Sequence, residues 1–327
     1  MSMTHNIFIH HCIINGDQTH SSLDDGVLPH DINLKEGQLI WQHIDLSSDH
    51  SHEWLDNHSG LESIVINSLT AEETRPRSFK VKDGLMVILR GLNMNPGQDL
   101  DDMVSIRLLI QKDRVVSVRR RPIISIQDII VDLNEGEGPR SAGEFLTTLV
   151  DKMANRVGDF VNGIDDELSD AEERLDIMGA AELRSLLGSL RRQIAVVRRY
   201  MAPQRDALDR LNHLDSGVLN ERDRQLLREE SDRVSRYLED LDLARERAVV
   251  LQEAFLSQIA QEQNNRMYAL SILSAIFLPL GFLTGLLGIN IGGMPGADNA
   301  SAFWIFVVSL VFIIGLQYWL FKKLKWF

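Results

Sequence analysis

The chain is nearly without cysteine, and it lacks every common signature of catalysis. A single thiol, Cys12, excludes an intramolecular disulfide framework and fits a reducing compartment. There is no P-loop, no GxSxG, no HExxH and no paired-cysteine motif. The glycines of GLLGIN neither keep dinucleotide-binding spacing nor follow a strand. Neither an enzyme nor a resident cofactor is therefore expected. Internal repeats and low-complexity tracts are missing too, and the N-terminal residues have no signal-peptide apolar core, as expected of a cytoplasmic start. Charge is the most unevenly missing property. Tyr268–Asn290 and Ala302–Phe321 contain no Lys, Arg, His, Asp or Glu.

What is present divides along the same line. The net charge of −13 is made of −8 over residues 1–140, −7 over 141–267 and +2 over 268–327. An acidic body of this kind offers no footing for nucleic acid. The two uncharged runs each reach the roughly 20 apolar residues that a helix needs to cross a bilayer core. They predict transmembrane helices at 268–290 and 302–321, joined by an external loop at 291–301. Arg266 precedes the first run and the basic tail 322–327 follows the second, while the loop has no Lys or Arg, so both termini are expected in the cytoplasm.

Upstream, residues 221–267 hold neither Gly nor Pro, and Leu227, Val234, Leu241, Ala248 and Phe255 recur every seven positions. That spacing predicts one face of a stalk helix continuous with the first span, a rod of about 100 Å at ~1.5 Å per residue. Residues 141–220 read as a helical hairpin. It opens on the capping pair Ser141 and Glu144, runs to Met178, turns near Gly179, and returns through Pro203, where a kink or break is expected. Residues 1–140 alternate strand-like runs at 39–46, 85–93, 104–110 and 114–120 with helical stretches near Ser51–His58 and Ile123–Leu133. This is the pattern of a cytoplasmic α/β or α+β domain.

The stretch GLLGINIGGMPG (285–296) is the most irregular part of the membrane region. A Gly-x-Asn tripeptide closing the penultimate span, followed by Met294-Pro295, a short loop and a second span, resembles the CorA superfamily of divalent-cation transporters. Where the magnesium branch usually has Gly-Met-Asn, this chain has Gly288-Ile289-Asn290. GINIGGMPG resembles the ZntB zinc-transporter branch, as do ETRPR (73–77) and RRYMAPQRD (198–206). The resemblance implies a CorA-like, funnel-shaped homopentamer in a bacterial inner membrane: an α+β cytoplasmic domain, long stalk helices, and two C-terminal transmembrane helices, the first lining the pore.

On that reading five copies of Asn290 ring the external mouth. Neutral amides suit a cation that keeps much of its water, since they can bond the hydration shell without holding the ion too long. Carboxylates or thiolates would grip zinc harder. Without the resemblance, the same residues would also make an ordinary turn. Met267, Leu270, Ser274, Leu278, Gly281, Gly285 and Gly288 share one helical stripe. It either lines the pore or packs helices, because Gly281-x-x-x-Gly285 is also a contact motif.

Two further groups are candidates. His10, His11 and Cys12, with His50 and His52, are zinc-ligand types without a strong ligand spacing, and surface histidines are the alternative. The segment 165–176 carries Asp165, Asp166, Glu167, Asp170, Glu172, Glu173 and Asp176 against one Arg. It is either a solvated helix face or a funnel that concentrates cations and offsets a collar of Lys322, Lys323 and Lys325. Together these readings predict a pentameric zinc transporter, with proton-linked Zn2+ uptake. A magnesium channel, zinc efflux through the same pore, or a membrane-tethered scaffold are the alternatives. The spans hold no proton-carrying carboxylate or histidine, so a coupling group must lie outside them.

Overall fold

The structure, a computed structural model, describes residues 7–24, 26–72, 74–175, 177–288, 296 and 299–323. It divides into two compact units, 1–252 and 253–327. The first is built on a seven-stranded sheet: β1 (Phe8–Ile14), β2 (His20–Ser22), β3 (Leu39–Asp45), β4 (Arg77–Val81), β5 (Gly84–Gly91), β6 (Val104–Ile110) and β7 (Arg114–Arg119). Its strand order is β2-β1-β3-β7-β6-β5-β4. Every neighbouring pair is antiparallel except β3 with β7.

Helices cover both faces. Helices α1 (Asp49–Asn57) and α2 (Ser63–Thr70) lie over one face, where Trp54, Leu55, Val65 and Leu69 pack on Ile44, Met86, Ile88, Leu109 and Val118. On the other face, Phe145 of α4 (Ala142–Glu173) meets Trp41 at 5.0 Å between ring centres. There, too, Ser78 donates to the Ala207 carbonyl of α5 (Ala180–His213) at 2.7 Å. Double cover explains why β5 carries an unbroken apolar run, Leu85–Leu89, rather than an alternating one. Each fully buried Leu, Ile or Met side chain contributes about 1.5–3 kcal/mol of hydrophobic stabilisation. Helix α3 (Ile124–Glu135) is tied to α4 by Lys152–Asp132 at 2.8 Å and Arg156–Asp128 at 2.7 Å.

The capping pair forms with one change. Ser141 Oγ accepts from the Glu144 amide at 3.1 Å, but Glu144 reaches back to the amide of Arg140 at 2.7 Å rather than to that of Ser141. Helix α4 ends at Glu173, short of Met178. Pro203 does not interrupt α5, which runs from Ala180 to His213 with Pro203 inside it. The loss of one amide there leaves the other helical bonds and the buried Leu190–Leu211 face intact.

Helix α6 runs unbroken from Glu221 to Leu287, and α7 spans Ala302–Lys323. Leu227, Val234, Leu241 and Ala248 are buried, while Phe255, the next position in the seven-residue series, is only half-buried. Both α6 and α7 contain a window long and apolar enough to cross a bilayer, and none of either window is buried within the chain. The architecture is thus a mixed α+β N-terminal unit, a long helix, and two candidate transmembrane helices at the C-terminus.

Candidate ion pathway

The described part of the Gly-rich stretch stops at Gly288. Ile289, Asn290, Met294 and Pro295 of the expected mouth lie outside the described residues, as do Asp176 of the acidic segment and Lys325 of the tail. Gly288 closes the helical ladder: its amide donates to the Thr284 carbonyl at 2.9 Å, and a methyl group at Gly288 would sit 2.8 Å from that same oxygen. Only a residue without a side chain fits there at no cost.

Within the membrane part of α6, burial separates two faces. Ile272, Ala275, Ile276, Pro279, Leu280 and Leu283 are partly shielded, whereas Met267, Leu270, Ser274, Leu278, Gly281, Gly285 and Gly288 are all exposed. At ~100° per residue the two sets lie on opposite sides of the helix. Helix α7 has a matching shielded stripe at Phe306, Val307, Leu310, Ile313, Gln317 and Phe321. The two shielded stripes are joined where Gln317 Nε2 donates to the Ala275 carbonyl at 3.3 Å. A methyl group at Gly281 or Gly285 would meet nothing within 4 Å. The Gly281-x-x-x-Gly285 motif therefore packs against no other element of its own chain among the described residues.

The acidic segment is organised by a cation distant in sequence. Asp165, Asp166, Glu167, Asp170, Glu172 and Glu173 are all exposed on the last turns of α4. Arg247 of α6 pairs with Asp165, bonds Glu172 at 3.0 Å, and donates to Ser169 Oγ at 3.3 Å. Hydrogen bonding to Glu172, then the two carboxylate charges, hold its guanidinium above the ordinary arginine range. Lys322 and Lys323 end α7, with Lys323 lying 5.1 Å from the Trp319 ring centre.

The metal-ligand candidates of the first unit are not gathered into a site. His10 and Cys12 point to the α4 side of β1, with His10 stacked on Trp41 at 5.6 Å, while His11 faces the opposite side and stacks on Phe8 at 4.4 Å. Strand alternation forces this separation of adjacent residues. Burial pushes the Cys12 thiol up to about 12, which keeps it protonated at neutral pH. His50 and His52 lie on α1, where His50 approaches Glu53 at 3.9 Å. Among the described residues no group of three or more His, Cys, Asp or Glu could hold a metal ion.

One histidine that composition did not distinguish is set in a buried network. Trp41 Nε1 donates to Ser117 Oγ at 2.9 Å, and the same hydroxyl is hydrogen-bonded to His43 Nδ1 at 2.7 Å. Burial, followed by the charges of Arg119 and His10, keeps the His43 imidazole well below its ordinary pKa. His43 is thereby a neutral core residue.

Residues 36–323 match the family described as CorA-like Mg2+ transporter protein. The chain belongs to that family. It is thus a membrane transporter rather than an enzyme. It is 38% identical over 297 residues to the divalent cation transporter CmaX of Pseudomonas aeruginosa, covering 90% of each chain. It is also 38% identical over 290 residues to the zinc transport protein ZntB of Yersinia enterocolitica, covering 88% of each. The full-length CmaX structure superimposes with a TM-score of 0.87 at 36% identity, covering 100% of both chains. The CorA magnesium transporter of Methanocaldococcus jannaschii gives 0.81 at 18% identity over 98% of this chain, a likeness of fold.

Proposed function

We propose that this CorA-family protein is a homopentameric divalent-cation transporter that carries zinc across the bacterial inner membrane, with both termini in the cytoplasm. The observation that carries the reading is the two-faced first span. Its shielded face carries the link to α7, and the opposite, exposed face holds the Met267–Gly288 stripe with Ser274, Gly281, Gly285 and Gly288. A helix with one face occupied by its own chain is left with the other for copies of itself or for a conduit. Five such stripes around an axis line a path, and Asn290, at the end of the stripe, supplies a neutral amide ring at the external mouth. Zinc as cargo is supported by identity to ZntB over most of the chain, and by Ile289 in place of the methionine usual in the magnesium branch.

Uptake is proton-linked in this reading, and the coupling group lies outside the spans because neither contains Asp, Glu, His or Lys. The test is flux of labelled metal into proteoliposomes, with and without an inward proton gradient, for the parent and Asn290→Ala. Zinc flux stimulated by the gradient and abolished in Asn290→Ala, with the pentamer intact, is the expected outcome. Magnesium flux without zinc flux supports the magnesium alternative, and no flux of either supports a scaffold.

A further inference from the structure

Pro279 and Gln317 stand 38 residues apart and on different helices, yet one hydrogen bond relates them. In an α-helix the amide of residue i bonds the carbonyl of i−4, so Pro279, which has no amide hydrogen, deprives the Ala275 carbonyl of its helical partner. In lipid there is no water to replace it, and an unbonded carbonyl at that depth is costly. The donor that arrives is Gln317 Nε2 of α7, at 3.3 Å from the Ala275 oxygen. Gln317 is the one carboxamide in the run 302–321.

The rest of the glutamine points to the same conclusion. Its Oε1 is buried and has no hydrogen-bond partner among the described residues. A side chain that carries an unsatisfied acceptor into an otherwise apolar stripe is a net liability unless its donor repays the cost. Met, of similar length and flexibility, would fill the same space without the polar atoms.

We propose that Gln317 is a positioning residue of the pore helix: it replaces the hydrogen bond that Pro279 removes, and so splints α7 to the back of α6 at the point where the proline interrupts its ladder. Leu278 and Gly281 of the exposed stripe flank Pro279. Fixing the carbonyl behind them sets how the stripe is presented on the far side. The effect on transport rests on the function proposed above, whereas the hydrogen-bond pairing does not.

The experiment is a two-by-two cycle of Gln317→Met and Pro279→Ala in the full chain. It reads the thermal midpoint in detergent and zinc flux in proteoliposomes. Pro279→Ala restores an amide for Ala275, so it removes the need for the glutamine. Gln317→Met is expected to lower the midpoint by a few degrees and zinc flux severalfold in the parent background. In the Pro279→Ala background the same substitution is expected to be neutral or stabilising, because only the unsatisfied Oε1 is lost. A generic packing role would give the same loss in both backgrounds and would overturn the proposal, as would no loss in either. A coupled midpoint with unchanged flux in Gln317→Met would overturn the role in transport. A parent that moves no zinc would count against the proposed function, while the midpoint cycle still decides the pairing.

Discussion

The two units follow opposite rules for their surfaces. In the first, Trp41, Phe145, Ile44 and Leu89 are wholly buried and most charged side chains lie at the surface, tied by pairs such as Arg198–Asp242 at 2.9 Å, with Arg107 and Asp223 the buried exceptions. In the second, the large apolar side chains are the surface: Phe303, Trp304, Phe312 and Leu278 are 66%, 68%, 69% and 73% exposed. Inside-out burial of this kind, in one chain, means that the two units are built for two solvents. The difference also shows in how polar groups are satisfied. The first unit spends many side chains on main-chain atoms, as when Arg90 bonds the carbonyls of Thr74 and Met103. Between the described membrane helices the corresponding device is the amide of Gln317.

Glycine gives the sharpest test of that contrast. Gly143, in the first turn of α4, lies so close to Asp223 that a methyl group there would run into its carboxylate. That carboxylate accepts from the Asn220 amide at 3.0 Å, while Asn220 Oδ1 accepts from the Asp223 amide at 2.9 Å, and the pair caps the start of α6. Ala is better than Gly in a helix by about 1 kcal/mol on propensity alone. Gly143→Ala is nevertheless expected to destabilise the first unit by roughly 1–3 kcal/mol, since the cap must shift or break. Gly281 has open space, so Gly281→Ala is expected to leave the midpoint unchanged or raised. Gly281→Leu is expected to abolish zinc flux while the assembled oligomer survives in detergent. Dissociation of the oligomer would assign the stripe to packing between copies, and a destabilised Gly281→Ala would erase the contrast between the units.

Much of this was legible in the amino-acid order. The spans were, because uncharged runs of that length have few other homes, and so were strands β3, β5, β6 and β7 with their β-branched runs. The first strand was obscured by His10 and His11, which look like surface or ligand residues. They are strand residues facing opposite sides of a covered sheet. Strand β4, Arg77–Val81, carries too few apolar residues to stand out, since it is an edge strand. The acidic segment was visible as composition, but Arg247 lies 75 residues beyond Glu172 and no local pattern links them. Gln317 is illegible for a related reason: a neutral amide leaves an uncharged run uncharged.

A smaller effect separates the units by pH. His43 is held neutral in the folded first unit, whereas in an unfolded chain it takes a proton near the ordinary value of about 6.5. Above that pH both states are neutral and the histidine costs nothing. As pH falls through it, the unfolded chain binds a proton that the folded one refuses, so stability is lost until the lowered folded value is reached. His43→Gln is expected to flatten the fall in the first unit's unfolding midpoint between roughly pH 7 and 5, read by near-ultraviolet circular dichroism. Some slope remains from His10, whose pKa is lowered by burial and by Arg119. An unchanged slope would mean that His43 does not carry the effect.

The smallest effect expected is at Arg247, and it tests whether the acids of α4 act on the ion at all. The guanidinium is partly solvated and its partners are exposed, so the pairs with Asp165 and Glu172 contribute at most about 1 kcal/mol to stability. Its electrostatic effect has the other sign for a cation. Arg247→Gln removes one positive charge from beside carboxylates and leaves Asp165 and Glu172 unpaired by it. If the segment concentrates cations, the variant lowers the zinc concentration for half-maximal flux at low ionic strength. The gain should shrink toward nothing near 0.15 M salt, where the screening length is about 8 Å. A solvated helix face with no part in transport predicts the same half-maximal concentration for parent and variant at every salt concentration. A weakened half-maximal concentration in Arg247→Gln would be harder on the idea still, since it would mean that Arg247 matters to transport through the structure it holds rather than through the charge it masks.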